Sequence, residues 1–104
     1  MTRDVNPVTR MLIRLNVIMR RFKEKDGYPI MFVVDRMGKR EDAVVLIVDI
    51  LYEERERAEE VVKKIFDLLS SYNVKVLDHR LETIIVPYKE VWRLVAMVSV
   101  NHSK

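Results

Sequence analysis

The sequence contains no cysteine, which excludes disulfides and cysteine-ligated metal sites and makes a reducing compartment, the cytoplasm, the expected location. Glycine occurs only at Gly27 and Gly38, so neither glycine-rich phosphate-binding fingerprint can be written on this chain. With only 3 prolines as well, turns are few and the secondary elements must be long. No apolar run approaches the roughly 20 residues that span a bilayer. The N-terminus lacks the basic-then-apolar layout of a secretory signal. No membrane partner is therefore expected.

What is present suits one domain over residues 1–104. Hydrophobic residues make up 49%, enough for a core, and charged residues 34%, spread along the chain. Abundant Glu, Lys and Arg without Cys is also a composition found in thermophiles, where ion pairs gain value with temperature.

Asn6-Pro7 is a helix start, with Asn capping free amides and Pro fitting the first turn. Val8, Met11, Leu12, Leu15, Ile18, Met19 and Phe22 then recur in steps of three and four, one continuous helical face. The helix should end near Asp26-Gly27. Tyr28 to Val34 reads as a strand, Asp35 to Asp42 as a polar loop, and Ala43 to Leu51 as a second strand. That second strand is apolar at both parities, which predicts a central position with both faces covered. A second helix is expected from Glu54 to Tyr72, its buried face made by Ala58, Val61, Val62, Ile65, Leu68, Leu69 and Tyr72. Glu59–Lys63 and Glu60–Lys64 have the spacing of i,i+4 ion pairs.

Further on, Val74 to Leu77 reads as a short strand, Asp78 to Arg80 as a tight turn, and Thr83 to Val86 as another strand ended by Pro87. Tyr88 to Val98 reads as a helix, with Val91, Trp92, Val95 and Val98 on one side; its end, Val95 to Val100, is equally compatible with a strand. Asn101 to Lys104 reads as a frayed tail. The predicted class is α/β (α+β): a small mixed sheet of three to four strands packed with helices, in the order α-β-β-α-β-(β)-α.

Charge is segregated. Residues 1–25 carry Arg3, Arg10, Arg14, Arg20, Arg21, Lys23 and Lys25 against Asp4 and Glu24, a net +5. The whole chain is +3, which leaves −2 for residues 26–104. Arg10, Arg14 and Arg21 fall with Val17 on the helix face away from the core. Such a face suits nucleic-acid phosphates, a solvated surface paired with acids such as Glu53 to Glu60, or an acidic partner, a second copy included. Arg10, Arg14, Arg20 and Arg21, extended by Lys39 and Arg40, are the candidate contact residues for nucleic acid or a partner protein. No aromatic residue interleaves with these arginines, which argues against single-strand stacking.

Asp35, Asp42 and Asp49 flank or interrupt the first two strands and invite a metal hypothesis. Asp42 and Asp49 are an odd number of residues apart, so a regular strand points them to opposite faces. At this point the chain resembles the minimal nucleotidyltransferase domain. The likeness lies in the leading helix, the strand ending in a loop, the acidic strand Glu41 to Val48, and the strand-and-helix segment Leu81 to Val95. It covers most of the chain. The family carries Gly-Ser after its first strand, where this chain has Asp35-Arg36. It then places two metal-binding aspartates one residue apart; Asp42 matches the first, and Val44 stands at the second. Glu82 falls where a third carboxylate is expected. With one ligand missing, two-metal phosphoryl chemistry is expected to fail, so the resemblance implies a degenerate member without catalytic residues or cofactor. The enzymatic alternative uses Asp35, Asp42 and Glu82 with Mg²⁺. A homodimerisation module is the third expectation, since a chain this short often extends its core across an interface. His79 beside Asp78 is most simply a turn residue.

Overall fold

Asn6 opens the first helix as expected: its side-chain oxygen accepts a hydrogen bond from the Val8 amide at 2.7 Å, and Pro7 occupies the first turn. A computed structural model describes residues 6–100 of the chain; the expected tail at Asn101 to Lys104 lies outside the described residues. Helix α1 runs Pro7–Glu24 and buries Val8, Met11, Leu15, Ile18, Met19 and Phe22, with Leu12 packed at the margin. Gly27, at φ +75°, turns the chain into strand β1 (Ile30–Arg36). Strand β2 (Ala43–Ile50) follows through a hairpin loop at 37–42.

Helix α2 (Arg55–Ser71) buries Ala58, Val61, Ile65 and Leu69, with Val62 and Leu68 partly covered, and the chain leaves it through Asn73 at φ 60°. Tyr72, expected in that buried face, is exposed. The expected Glu59–Lys63 and Glu60–Lys64 pairs are not made: Glu59 accepts instead from Arg55, one turn back, at 2.9 Å. The start of α2 is held by other contacts. Arg55 lies 5.4 Å from the Trp92 ring centre, Arg57 lies 3.9 Å from that of Tyr52, and the Trp92 indole donates to the Glu53 carbonyl.

The last part of the chain departs from expectation. Strand β3 spans Val76–Val86 without a turn at 78–80; a bulge between Val76 and Asp78 absorbs the irregularity. His79 accordingly sits within a strand, its ring edge-on to Phe66 at 4.8 Å. Lys89–Ser99 is strand β4, and no helix forms at 88–98. Pro87 ends the strand at Val86 as expected, but Pro87-Tyr88 is a two-residue hairpin leading to the paired residue Lys89 and not the start of a helix. The alternation Trp92, Leu94, Ala96, Val98 faces the core, and it outweighs the helical spacing of Val91, Trp92, Val95 and Val98.

The sheet is antiparallel throughout, in the order β1-β2-β4-β3. Thus β2-α2-β3 is a split βαβ unit, with β4 inserted between its two strands. Val44, Leu46, Val48 and Ile50 of β2, with Leu94, Ala96 and Val98 of β4, join the buried residues of both helices in one cluster. Both helices therefore cover the same face, giving two layers. Among the described residues no helix or strand covers the other face.

Tyr88 is fully exposed and holds φ at 74°, a left-handed conformation that costs a residue with a Cβ roughly 1–2 kcal/mol. The position follows proline in a tight turn, where glycine is the favoured residue. Tyr88→Gly should raise stability by about 0.5–1 kcal/mol once glycine's larger unfolded-state entropy is counted, read as a higher urea midpoint at unchanged slope.

Candidate functional site

The outward face of α1 follows from its register. With Leu15 and Met19 fully buried, Arg10, Ile13, Val17, Arg20 and Arg21 point to solvent. Ile13 and Val17 are more than half exposed, 57% and 54%, and with Asn16, Arg20, Arg21 and Glu24 they line a shallow groove along the helix. Ile13 was not singled out in the sequence; its i,i+4 spacing to Val17, opposite the core stripe, is the signal that marks it.

The pairing of the arginines separates this face from the rest of the surface. Outside α1, Arg40 pairs with Asp42, Arg55 with Glu59, Arg57 with Glu54, Arg80 with Glu82 and Arg93 with Asp49. Arg36, the remaining one among the described residues, donates to the Thr9 hydroxyl at 2.9 Å. On α1 and its C-cap Lys25, by contrast, Arg10, Arg20, Arg21, Lys23 and Lys25 make no ion pair with a carboxylate among the described residues. Arg14 is the exception to their freedom: its guanidinium donates to the Tyr72 carbonyl and ties α1 to the end of α2. The acidic run Glu53 to Glu60 is not the partner of this face, since Glu54 and Glu59 are taken by arginines of α2 itself.

Lys39 and Arg40 lie in the β1–β2 loop. Arg40 makes two 2.9 Å hydrogen bonds to Asp42 and a third to the sulfur of Met97, on the uncovered side of the sheet. Those bonds hold the Asp42 carboxyl below the usual carboxylate range. The pair is exposed, and its contribution is present at neutral pH and lost as acid protonates Asp42.

The carboxylates considered as metal ligands are dispersed. Asp35 sits on edge strand β1, Asp42 precedes β2, and Glu82 sits on the opposite edge strand β3, bound to Arg80. Three strand spacings separate β1 from β3, about 14 Å, too far for Asp35 and Glu82 to share an ion. Val44, at the second ligand position of the nucleotidyltransferase pattern, is fully buried against the helices. Among the described residues no cluster of His, Asp and Glu suits a metal ion.

The uncovered sheet face is a second candidate surface. Strand register sets its side chains in rows across β1, β2, β4 and β3. Met31, Asp49, Arg93 and Glu82 form one row, and Val33, Ile47, Val95 and Arg80 the next. Asp35, Val45, Met97 and Asp78 form the third. Asp49 receives two hydrogen bonds from Arg93, at 2.7 and 3.1 Å. A cavity of about 200 Å³ opens on this side, lined in part by Met37, Val45, Val95 and Met97. The expectation that β2 is covered on both faces is thus met on one only.

Among the described residues no helix is long and apolar enough to cross a membrane. Comparison with protein-family models, curated proteins and solved structures finds no match to this chain.

Proposed function

We propose that this chain acts by binding nucleic acid, and that the outward face of α1 is the contact surface, with Arg10, Arg20 and Arg21 on backbone phosphates. The observation that carries the reading is the contrast in pairing. Elsewhere nearly every arginine is neutralised by a neighbouring carboxylate, while these stay unpaired on one exposed helix face. Each unpaired guanidinium that meets a phosphate releases counterions from the polyanion, which favours association. Along α1 itself the one aromatic side chain, Phe22, is buried, which favours contact with a duplex backbone over base stacking.

Arg14 is held by Tyr72, so the informative variant replaces Arg10, Arg20 and Arg21 by glutamine and leaves Arg14 in place. Fluorescence anisotropy with a labelled duplex should show micromolar to submillimolar binding by the wild type and a loss of at least about tenfold in the triple variant. The circular dichroism spectrum should not change. Equal affinity in the two proteins would remove the reading.

A partner protein is the second reading, supported by Ile13 and Val17 within the same groove. An apolar pair flanked by arginines suits an acidic amphipathic helix. In that case Ile13→Ser with Val17→Ser would weaken partner binding, and duplex affinity would be negligible in the wild type.

A further inference from the structure

Six apolar side chains, Met31, Val33, Val45, Ile47, Val95 and Met97, lie together on the uncovered face of the sheet. Two of them, Met31 and Val33, are each 57% exposed. A contiguous apolar surface of this kind on a small domain marks an interaction site. The geometry points to a second copy of this chain as its occupant, in a homodimer that packs sheet against sheet.

The charges around the patch define what it accepts. Asp35, Asp49, Asp78 and Glu82 share this side with Arg40, Arg80 and Arg93, so the face is close to neutral and offers no cationic surface to a polyanion. Asp49 is already paired with Arg93, and Glu82 with Arg80, within the chain. Covering the face therefore strands neither of these carboxylates, and the occupant need not bring a matching charge for them. An apolar, flat and largely self-neutralised surface is what the occupant must present, and the face itself has those properties.

Symmetry strengthens the match. A two-fold axis parallel to the strands, between β2 and β4, lays the order β1-β2-β4-β3 over its reverse. The inner strands then stack on each other, Val45 and Ile47 against Val95 and Met97 of the other copy. The β1 edge carrying Val33 and Asp35 comes over the β3 edge carrying Arg80 and Asp78, once on each side of the axis. Sheets packed this way sit about 10 Å apart with their apolar side chains interdigitated.

The area is sufficient. Four strands at about 4.8 Å spacing, with strands of 7 and 8 residues setting the shared length, give a footprint on the order of 500 Å² per copy. The pair buries about 1,000 Å² before side-chain relief is added, the lower threshold for a biological interface. The dimer also covers the second face of β2, whose apolar residues at both parities are otherwise half used.

Sedimentation equilibrium of the full chain at about 100 µM, well above a micromolar dissociation constant, should return twice the monomer mass of 12.4 kDa. Ile47→Lys should return the monomer mass. Val33→Lys, at a side chain already exposed in the monomer and so without risk to folding, should do the same. The Arg10, Arg20, Arg21 triple variant should remain dimeric. A monomeric wild type would overturn the proposal, as would a dimer that survives Val33→Lys, or one that dissociates on Ile13→Lys instead.

Discussion

Leu46→Lys should leave no folded protein at room temperature, while Ile47→Lys, one residue along the same strand, should retain the native circular dichroism spectrum. The two side chains point to opposite faces of β2. Leu46 is fully buried between the sheet and the helices, and its cross-strand partners Val34 and Ala96 are apolar. Removing its packing costs about 2–5 kcal/mol, and an unpaired ammonium in the same place costs several more. The total stability of a domain this size is about 5–15 kcal/mol, so the sum exhausts it. Ile47 lies on the uncovered face, where a lysine stem lies along the sheet and its ammonium reaches water. Thermal melts of the two variants check the contrast. A folded Leu46→Lys protein would mean that the two faces are assigned the wrong way round.

Ile65→Ala should cost about 2–5 kcal/mol, and Glu59→Ala no more than about 0.5 kcal/mol. Both lie on α2, and the difference shows what holds that helix. Its N-terminal residue Glu54 makes no side-chain cap, and no basic residue lies in its last turn. A 17-residue helix without a side-chain N-cap is marginal alone, even with its C-terminus closed by backbone bonds at Asn73, so α2 depends on burying Ala58, Val61, Ile65 and Leu69. The Arg55–Glu59 pair is exposed on both sides, and solvent screens it. Urea titrations of the two variants should differ widely in midpoint. A comparable loss in Glu59→Ala would mean that the surface pair, rather than the core, anchors α2.

Both helices were legible in the sequence because each combines a clear terminus with a long apolar stripe. Asn6-Pro7 and Gly27 bracket α1, and Asn73 closes α2. Strand β2 was legible as an inner strand from its β-branched run. Strand β4 was not. Val91, Trp92, Val95 and Val98 satisfy a helical period as well as Trp92, Leu94, Ala96 and Val98 satisfy a strand, and only pairing with β2 and β3 selects between them. Pro87 compounded the misreading, because a proline that begins a hairpin and one that ends a strand look alike until the next residue takes a positive φ. The bulge near Leu77 likewise broke the alternation of β3 into what reads as two short strands.

The charged site was legible as a face but not as a set of free side chains. Helical spacing identifies Arg10, Arg14 and Arg21, yet only the meeting of α1 with the end of α2 takes Arg14 out of that set. In the same way, the Arg40–Asp42 pair and the bond to Met97 assign the hairpin loop to the sheet side. The two surfaces are thereby distinct in chemistry. The helix layer presents unpaired positive charge, and the sheet presents apolar side chains among self-paired charges. A dimer closed through the sheets leaves each α1 facing outward, free to meet phosphate.

The salt dependence of duplex binding tests that assignment most directly. The logarithm of the association constant, plotted against the logarithm of salt concentration, should fall with a slope of at least about −3 in the wild type. Each arginine on a phosphate contributes about −0.9, so replacing Arg10, Arg20 and Arg21 together should flatten the line by nearly that amount. A wild-type slope near zero, or an equal slope in the two proteins, would contradict a phosphate-binding role for α1.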